Sequence, residues 1–132
     1  MYKGVFLFVT ALLLMGLTAC SGGGQSIEVS AEWEIVMEGL AFNRGTVAVP
    51  AGEEIVLHLK NNDTYTHYFA LYMQEGAEKP FAGPIEVPAH TRKEFSFTSP
   101  AETGRYYYRD AMYSNKMKGL LIVSDQAEVP LD

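Results

Sequence analysis

The sequence predicts an all-β fold, an antiparallel β-sandwich of about seven strands. Three observations carry that reading. Beyond Ser26, apolar residues recur at every second position over most of the 132-residue chain, the period of a strand with one buried face. Clusters of Gly, Pro and Asn interrupt the alternation at short intervals. No stretch there keeps the 3.6-residue apolar period of an amphipathic helix.

Ile27, Val29, Ala31, Trp33, Ile35 and Met37 alternate with Glu28, Ser30, Glu32 and Glu34, a run long enough to bend or break midway. Residues 46–49 form a second, short strand, stopped by the turn signal Pro50-Ala51-Gly52. Ile55, Leu57 and Leu59 share the buried face of the next strand, which ends at the turn formers Asn61-Asn62-Asp63. His67, Phe69, Leu71 and Met73 share the following face, so Met73, like Met37, reads as core. Residues 74–84 are polar and broken by Pro80, Gly83 and Pro84, the pattern of a long loop or short helical excursion. Alternation resumes over residues 91–98, and after a turn at 100–104 Tyr106, Tyr108 and Asp110 share a face. The apolar run 119–123 suits a strand buried on both sides or covering a sheet.

Residues 1–19 read as a secretory leader, with Lys3 as a positive n-region and an apolar run too short for a transmembrane helix, which needs about 20 residues. Leu17-Thr18-Ala19-Cys20 resembles the lipobox of bacterial lipoproteins. The resemblance implies export, lipidation of Cys20 and tethering to a bacterial membrane on its periplasmic or outer side. Residues 20–26 then form the lipidated end and a Gly/Ser tether, residues 27–124 the folded domain and residues 125–132 a tail. With Cys20 the single cysteine, no internal disulfide exists. The net charge of −6 argues against nucleic acid as a partner and against a polybasic membrane patch.

The order of motifs in this domain resembles the cupredoxin family, whose fold is a Greek-key sandwich. The likeness rests on Val49-Pro50-Ala51-Gly52, on Asn61-Asn62-Asp63-Thr64-Tyr65-Thr66-His67, and on Gly104-Arg105-Tyr106-Tyr107-Tyr108-Arg109-Asp110. It continues in Met117-Lys118-Gly119 and the apolar run that follows. Members with a blue site use two histidines, a cysteine and usually a methionine around copper. Here the cysteine position falls on Asp110, and the loop that should hold the second histidine reads Ala111-Met112-Tyr113-Ser114-Asn115-Lys116. A type 1 blue centre is therefore excluded, because no thiolate is present to supply it.

Two readings follow for what remains. In one, His67 and Met117, with Asp110 or Met112, form a remodelled non-blue copper site for copper handling rather than electron transfer. In the other, His67 is a buried, hydrogen-bonded histidine, Met117 packs the core, and Asp110 pairs with Arg109, Arg105 or Lys118. His58 reads as solvated and His90 as exposed in a turn. Tyrosines cannot all be core by parity, so some belong near the His67 end, where they offer a docking surface for a membrane-associated protein. An enzyme is not expected: the chain holds no Ser/His/Asp set, no paired catalytic carboxylates and no phosphate loop.

Overall fold

The computed structural model describes residues 33–126. Cys20, the leader, the tether, Ile27, Val29 and Ala31, and residues 127–132 of the tail lie outside the described residues. Among the described residues nine strands run in order: β1 (Glu34–Glu38), β2 (Ala41–Phe42), β3 (Thr46–Val49), β4 (Glu54–Asn61), β5 (His67–Tyr72), β6 (Ala82–Val87), β7 (Arg92–Thr98), β8 (Gly104–Asp110) and β9 (Lys118–Val123). They form a four-stranded sheet, β2-β1-β4-β7, and a five-stranded sheet, β3-β9-β8-β5-β6. The all-β class is as the sequence predicts, but the sandwich is mixed. β1 runs parallel to β4 and β3 parallel to β9, while the other pairs are antiparallel.

Strand alternation builds the core directly. Ile35, Met37, Ile55, Leu57, Leu59, Phe95 and Phe97 point inward from one sheet. Val47, Val49, Phe69, Leu71, Tyr106, Tyr108, Leu121 and Val123 meet them from the other. Phe69 sits where the sheets meet, its ring centroid 5.9 Å from Phe42, 5.7 Å from Phe95 and 5.6 Å from Tyr108. Such edge and tilted contacts add to the area these rings bury.

Two strands escape the sequence pattern. β2 has two residues and is joined to β1 by Gly39 and Leu40, both left-handed at φ 63° and 57°. That is the two-residue hairpin turn whose twist suits the strands, with a leucine where glycine or asparagine is usual. β6 begins inside the segment read as a loop, and it carries Gly83-Pro84 on the edge of its sheet, where a missing N–H breaks no ladder. Gly83 has φ 85°, and a Cβ there would lie 2.8 Å from the Phe69 carbonyl oxygen, at the point where the β5–β6 register shifts. Met73, expected in the core, is 52% exposed, because β5 ends at Tyr72 and the alternation stops with it.

The tyrosine of β8 and the glycine of β9 explain each other. Tyr108 lies opposite Gly119 across the ladder, and its ring covers the glycine: an added Cβ would be 2.2 Å from Cζ. The fully buried phenol donates to the Arg44 carbonyl oxygen at 2.6 Å. Burial pushes its pKa up to about 12, against the opposing pull of the Arg44 charge. Gly119→Ala is expected to lower unfolding stability by roughly 3 kcal/mol, as overpacking in a core does. Urea melts of the variant measure this, and a loss below about 0.5 kcal/mol, the range of ordinary surface changes, would show that the ring is free to move aside.

Candidate functional site

Three segments converge at one end of the sandwich: the loop from β4 to β5, the start of β5, and the end of β8. Asn61, the last residue of β4, anchors the loop. Its Nδ2 donates to the carbonyl oxygens of Tyr65 at 2.8 Å and Val87 at 2.9 Å, and its Oδ1 accepts the Asp63 N–H at 2.8 Å. The loop is thereby folded back on itself, in the manner of an Asx turn. It delivers Asp63 to one side of His67, which opens β5.

His67 is completely buried. Its Nε2 lies 2.8 Å from Asp63 Oδ2 and its Nδ1 lies 2.8 Å from Asp110 Oδ2. Each short contact needs a proton, so the three groups share two protons and together carry one negative charge. Whichever groups carry those protons, both nitrogens of the ring are engaged. The rings of Tyr65 and Tyr113 stand edge-on to it, each with its centroid 5.7 Å away.

Both carboxylates are otherwise well supplied. Asp110 Oδ2 also accepts the Tyr68 N–H at 3.0 Å, while its Oδ1 accepts the N–H groups of Met112 at 2.7 Å and Tyr113 at 3.0 Å. This local capping starts the turn that leads to β9, a role for which aspartate is well suited. Asp63 Oδ1 accepts the Gly39 N–H at 2.7 Å, and its Oδ2 receives a longer 3.4 Å contact from the Leu40 N–H. The left-handed pair of the β1–β2 turn thus presents its amides to a carboxylate, which offsets some of the cost of leucine in that conformation. Burial works to raise the Asp63 carboxyl, but the hydrogen bonds from His67, Gly39 and Leu40 and the His67 charge outweigh it. The group is held below its ordinary value.

The sequence-picked residues separate here. His67 and Asp110 meet, although Asp110 does so as a hydrogen-bond acceptor. It makes no ion pair with Arg109, Arg105 or Lys118. Met117 is fully buried in the hydrophobic core, and Met112 is 67% exposed on the loop surface. His90 is exposed, and His58 is half-buried with Nδ1 3.9 Å from Glu94. Asp63 was legible only as a turn former. Its position four residues before a histidine was the available signal.

The sequence profile of the cupredoxin-like domain matches residues 6–123. The chain belongs to the cupredoxin-like family. No curated protein matches it. Auracyanin A, a "blue" copper protein from Chloroflexus aurantiacus, is 24% identical with a TM-score of 0.60, over 69% of this chain and 96% of that one. Auracyanin from Roseiflexus castenholzii is 22% identical with a TM-score of 0.59, over 69% of this chain and 94% of that one. A purple cupredoxin from Nitrosopumilus maritimus is 18% identical with a TM-score of 0.54, over 69% and 98% of the two chains. At these identities the likeness is one of fold.

Copper is the group this cupredoxin-like fold brings to mind, and the residues present do not fit it. To bind His67 a metal needs a lone pair on one of its ring nitrogens, and both nitrogens are hydrogen-bonded to carboxylates. The two nitrogens point to opposite sides of the ring, so Asp63 and Asp110 cannot converge on one ion beside it. Among the described residues, no three His, Cys, Asp or Glu side chains form a metal-holding group.

The depressed Asp63 pKa sets a pH dependence. Its folded value lies below the unfolded value near 3.8, so the native state binds fewer protons through that window. The stabilisation is complete above the unfolded value and is lost as pH falls through the folded one. Asp63→Asn is therefore expected to be less stable than the parent at neutral pH, with the gap narrowing below about pH 4. Urea midpoints of both proteins across pH measure this, and a gap that stays constant would remove the carboxylate from the account.

Proposed function

We propose that this cupredoxin-like protein is a metal-free binding module, exported and held at a bacterial membrane by lipid on Cys20. In this reading the Asp63–His67–Asp110 ion chain takes the structural place of a copper centre. The carrying observation is the 2.8 Å contact at each nitrogen of His67, which leaves the ring no coordinating lone pair. A copper site built on His67 requires one, so neither electron transfer nor copper handling at this ring is supported by the arrangement. The surface above the ring supports a docking role. Tyr65 is 41% exposed and Met112 is 67% exposed, and Tyr65 lies beside Tyr113 with ring centroids 6.1 Å apart. Aromatic rings and methionine are the side chains enriched in protein interfaces, and a membrane tether raises the concentration of a partner held in the same membrane.

Copper titration of the purified protein tests the reading, with Cu(I) against a competing chelator and Cu(II) followed by absorption. The expected result is no tight one-to-one binding that depends on His67. Tight binding that disappears in a His67→Ala/Met117→Ala double variant would overturn the metal-free assignment. In the same preparations, chelator should leave the melting temperature unchanged. His67→Ala should lose about 3–5 kcal/mol, because it strands two buried carboxylates.

A further inference from the structure

The outer face of the larger sheet carries a second feature, remote in kind from the His67 site and independent of the reading given to it. Strand parity points Arg105, Tyr107 and Arg109 of β8 away from the core, and Lys118 and Leu120 of β9 beside them. These side chains, with Glu75, line a cleft of about 780 Å³, within the range of small-molecule sites. Three cations against one carboxylate leave the cleft at +2, in a chain whose net charge is −6.

The arrangement is unfavourable without a ligand. Arg109 and Lys118 are directly opposed across the β8–β9 ladder, where like charges destabilise a sheet. Among the described residues, no carboxylate lies within ion-pair distance of Arg105, Arg109 or Lys118. The guanidinium of Arg109 is already fixed: its Cζ stacks 3.6 Å over the Tyr72 ring, and Nη2 donates to the Ala77 carbonyl oxygen. Its Nε is buried and has no hydrogen-bond partner. That buried donor does not face the cleft, so Arg109 offers an oxyanion the charge of an immobilised guanidinium, with little loss of side-chain freedom. Ser114 and Asn115 line the loop end of the cleft with neutral polar groups, and Tyr107 and Leu120 give it a semi-apolar floor.

We propose that this cleft binds a phosphate-bearing small anion, with Arg105, Arg109 and Lys118 holding the phosphate and Tyr107 and Leu120 contacting the body attached to it. A cleft at +2 matches the dianion of a phosphate monoester better than the single charge of a carboxylate or a diester. The phosphate group itself has two sources: a soluble monoester, which the charge of the cleft favours, and the diester of a lipid headgroup, which brings one charge fewer.

Isothermal titration of the full chain distinguishes them, with phenyl phosphate as the monoester probe and glycerophosphoglycerol as a headgroup freed of its acyl chains. Saturable binding of phenyl phosphate at or below about 1 mM is expected. Lys118→Gln and Arg105→Gln should each weaken it roughly tenfold. Glu75→Gln should tighten it, a gain that damaged folding cannot produce. Equal or tighter binding of glycerophosphoglycerol would keep the phosphate site and assign it to a lipid headgroup. No saturable binding of either probe would overturn the proposal. So would equal weakening by Lys93→Gln, a matched charge change outside the cleft, since the effect would then be net charge alone.

Discussion

One imidazole, buried and held from both sides by carboxylates, ties together parts of the chain that the sheets alone leave separate. His67 opens β5, Asp110 closes β8, and Asp63 reaches from the β4–β5 loop to the amides of the β1–β2 turn. The smaller sheet's hairpin is thereby linked to two central strands of the larger one. Buried charge is expensive to desolvate, and such a chain is tolerable only when its polar atoms find partners. Asp110 meets that condition with three backbone N–H groups besides the ring, and Asp63 with two. The set fixes geometry more than it adds stability. Removing one member strands the others, whereas an apolar set of equal volume would serve stability about as well.

A thiolate and an imidazole at the ends of neighbouring strands are brought together by a metal that both coordinate. A carboxylate at position 110 needs no intermediary, because its oxygen accepts the ring N–H directly at 2.8 Å. The same residue accepts two amides of the turn that follows it, which a thiolate does poorly. One side chain therefore both closes the β8 end and anchors the histidine, so its hydrogen bonds form a cross-link at this end.

The strands that were legible in the sequence are those where one face is buried and the alternation is long. β4 shows Ile55, Leu57 and Leu59, and β8 shows Tyr106, Tyr108 and Asp110. β6 was hidden because Gly83 and Pro84 are turn signals in most settings, and only an edge position with a register shift accommodates them inside a strand. β2 was hidden because two residues hold no period. The parallel pairings of β1 with β4 and of β3 with β9 leave no local mark, since alternation reports which face is buried and says nothing of the neighbour's direction. At the site, His67 and Asp110 were legible from motif order. Asp63 was not, because Asn61-Asn62-Asp63 reads the same whether the aspartate ends a strand in solvent or turns inward to an imidazole.

The alternation of β8 also accounts for how charge is distributed on both faces of its sheet. Arg109 and Asp110 are adjacent in sequence, and a salt bridge between them is the natural guess from composition. Consecutive residues of a strand point to opposite faces, so the two charges are separated by the sheet itself. Asp110 must then be compensated from inside, which His67 and the backbone amides accomplish. Arg109 is left to the outer face beside Lys118, where stacking on Tyr72 holds it and, among the described residues, no carboxylate pairs with it. The buried ion chain and the uncompensated basic cleft are consequences of the same strand geometry, one on each side.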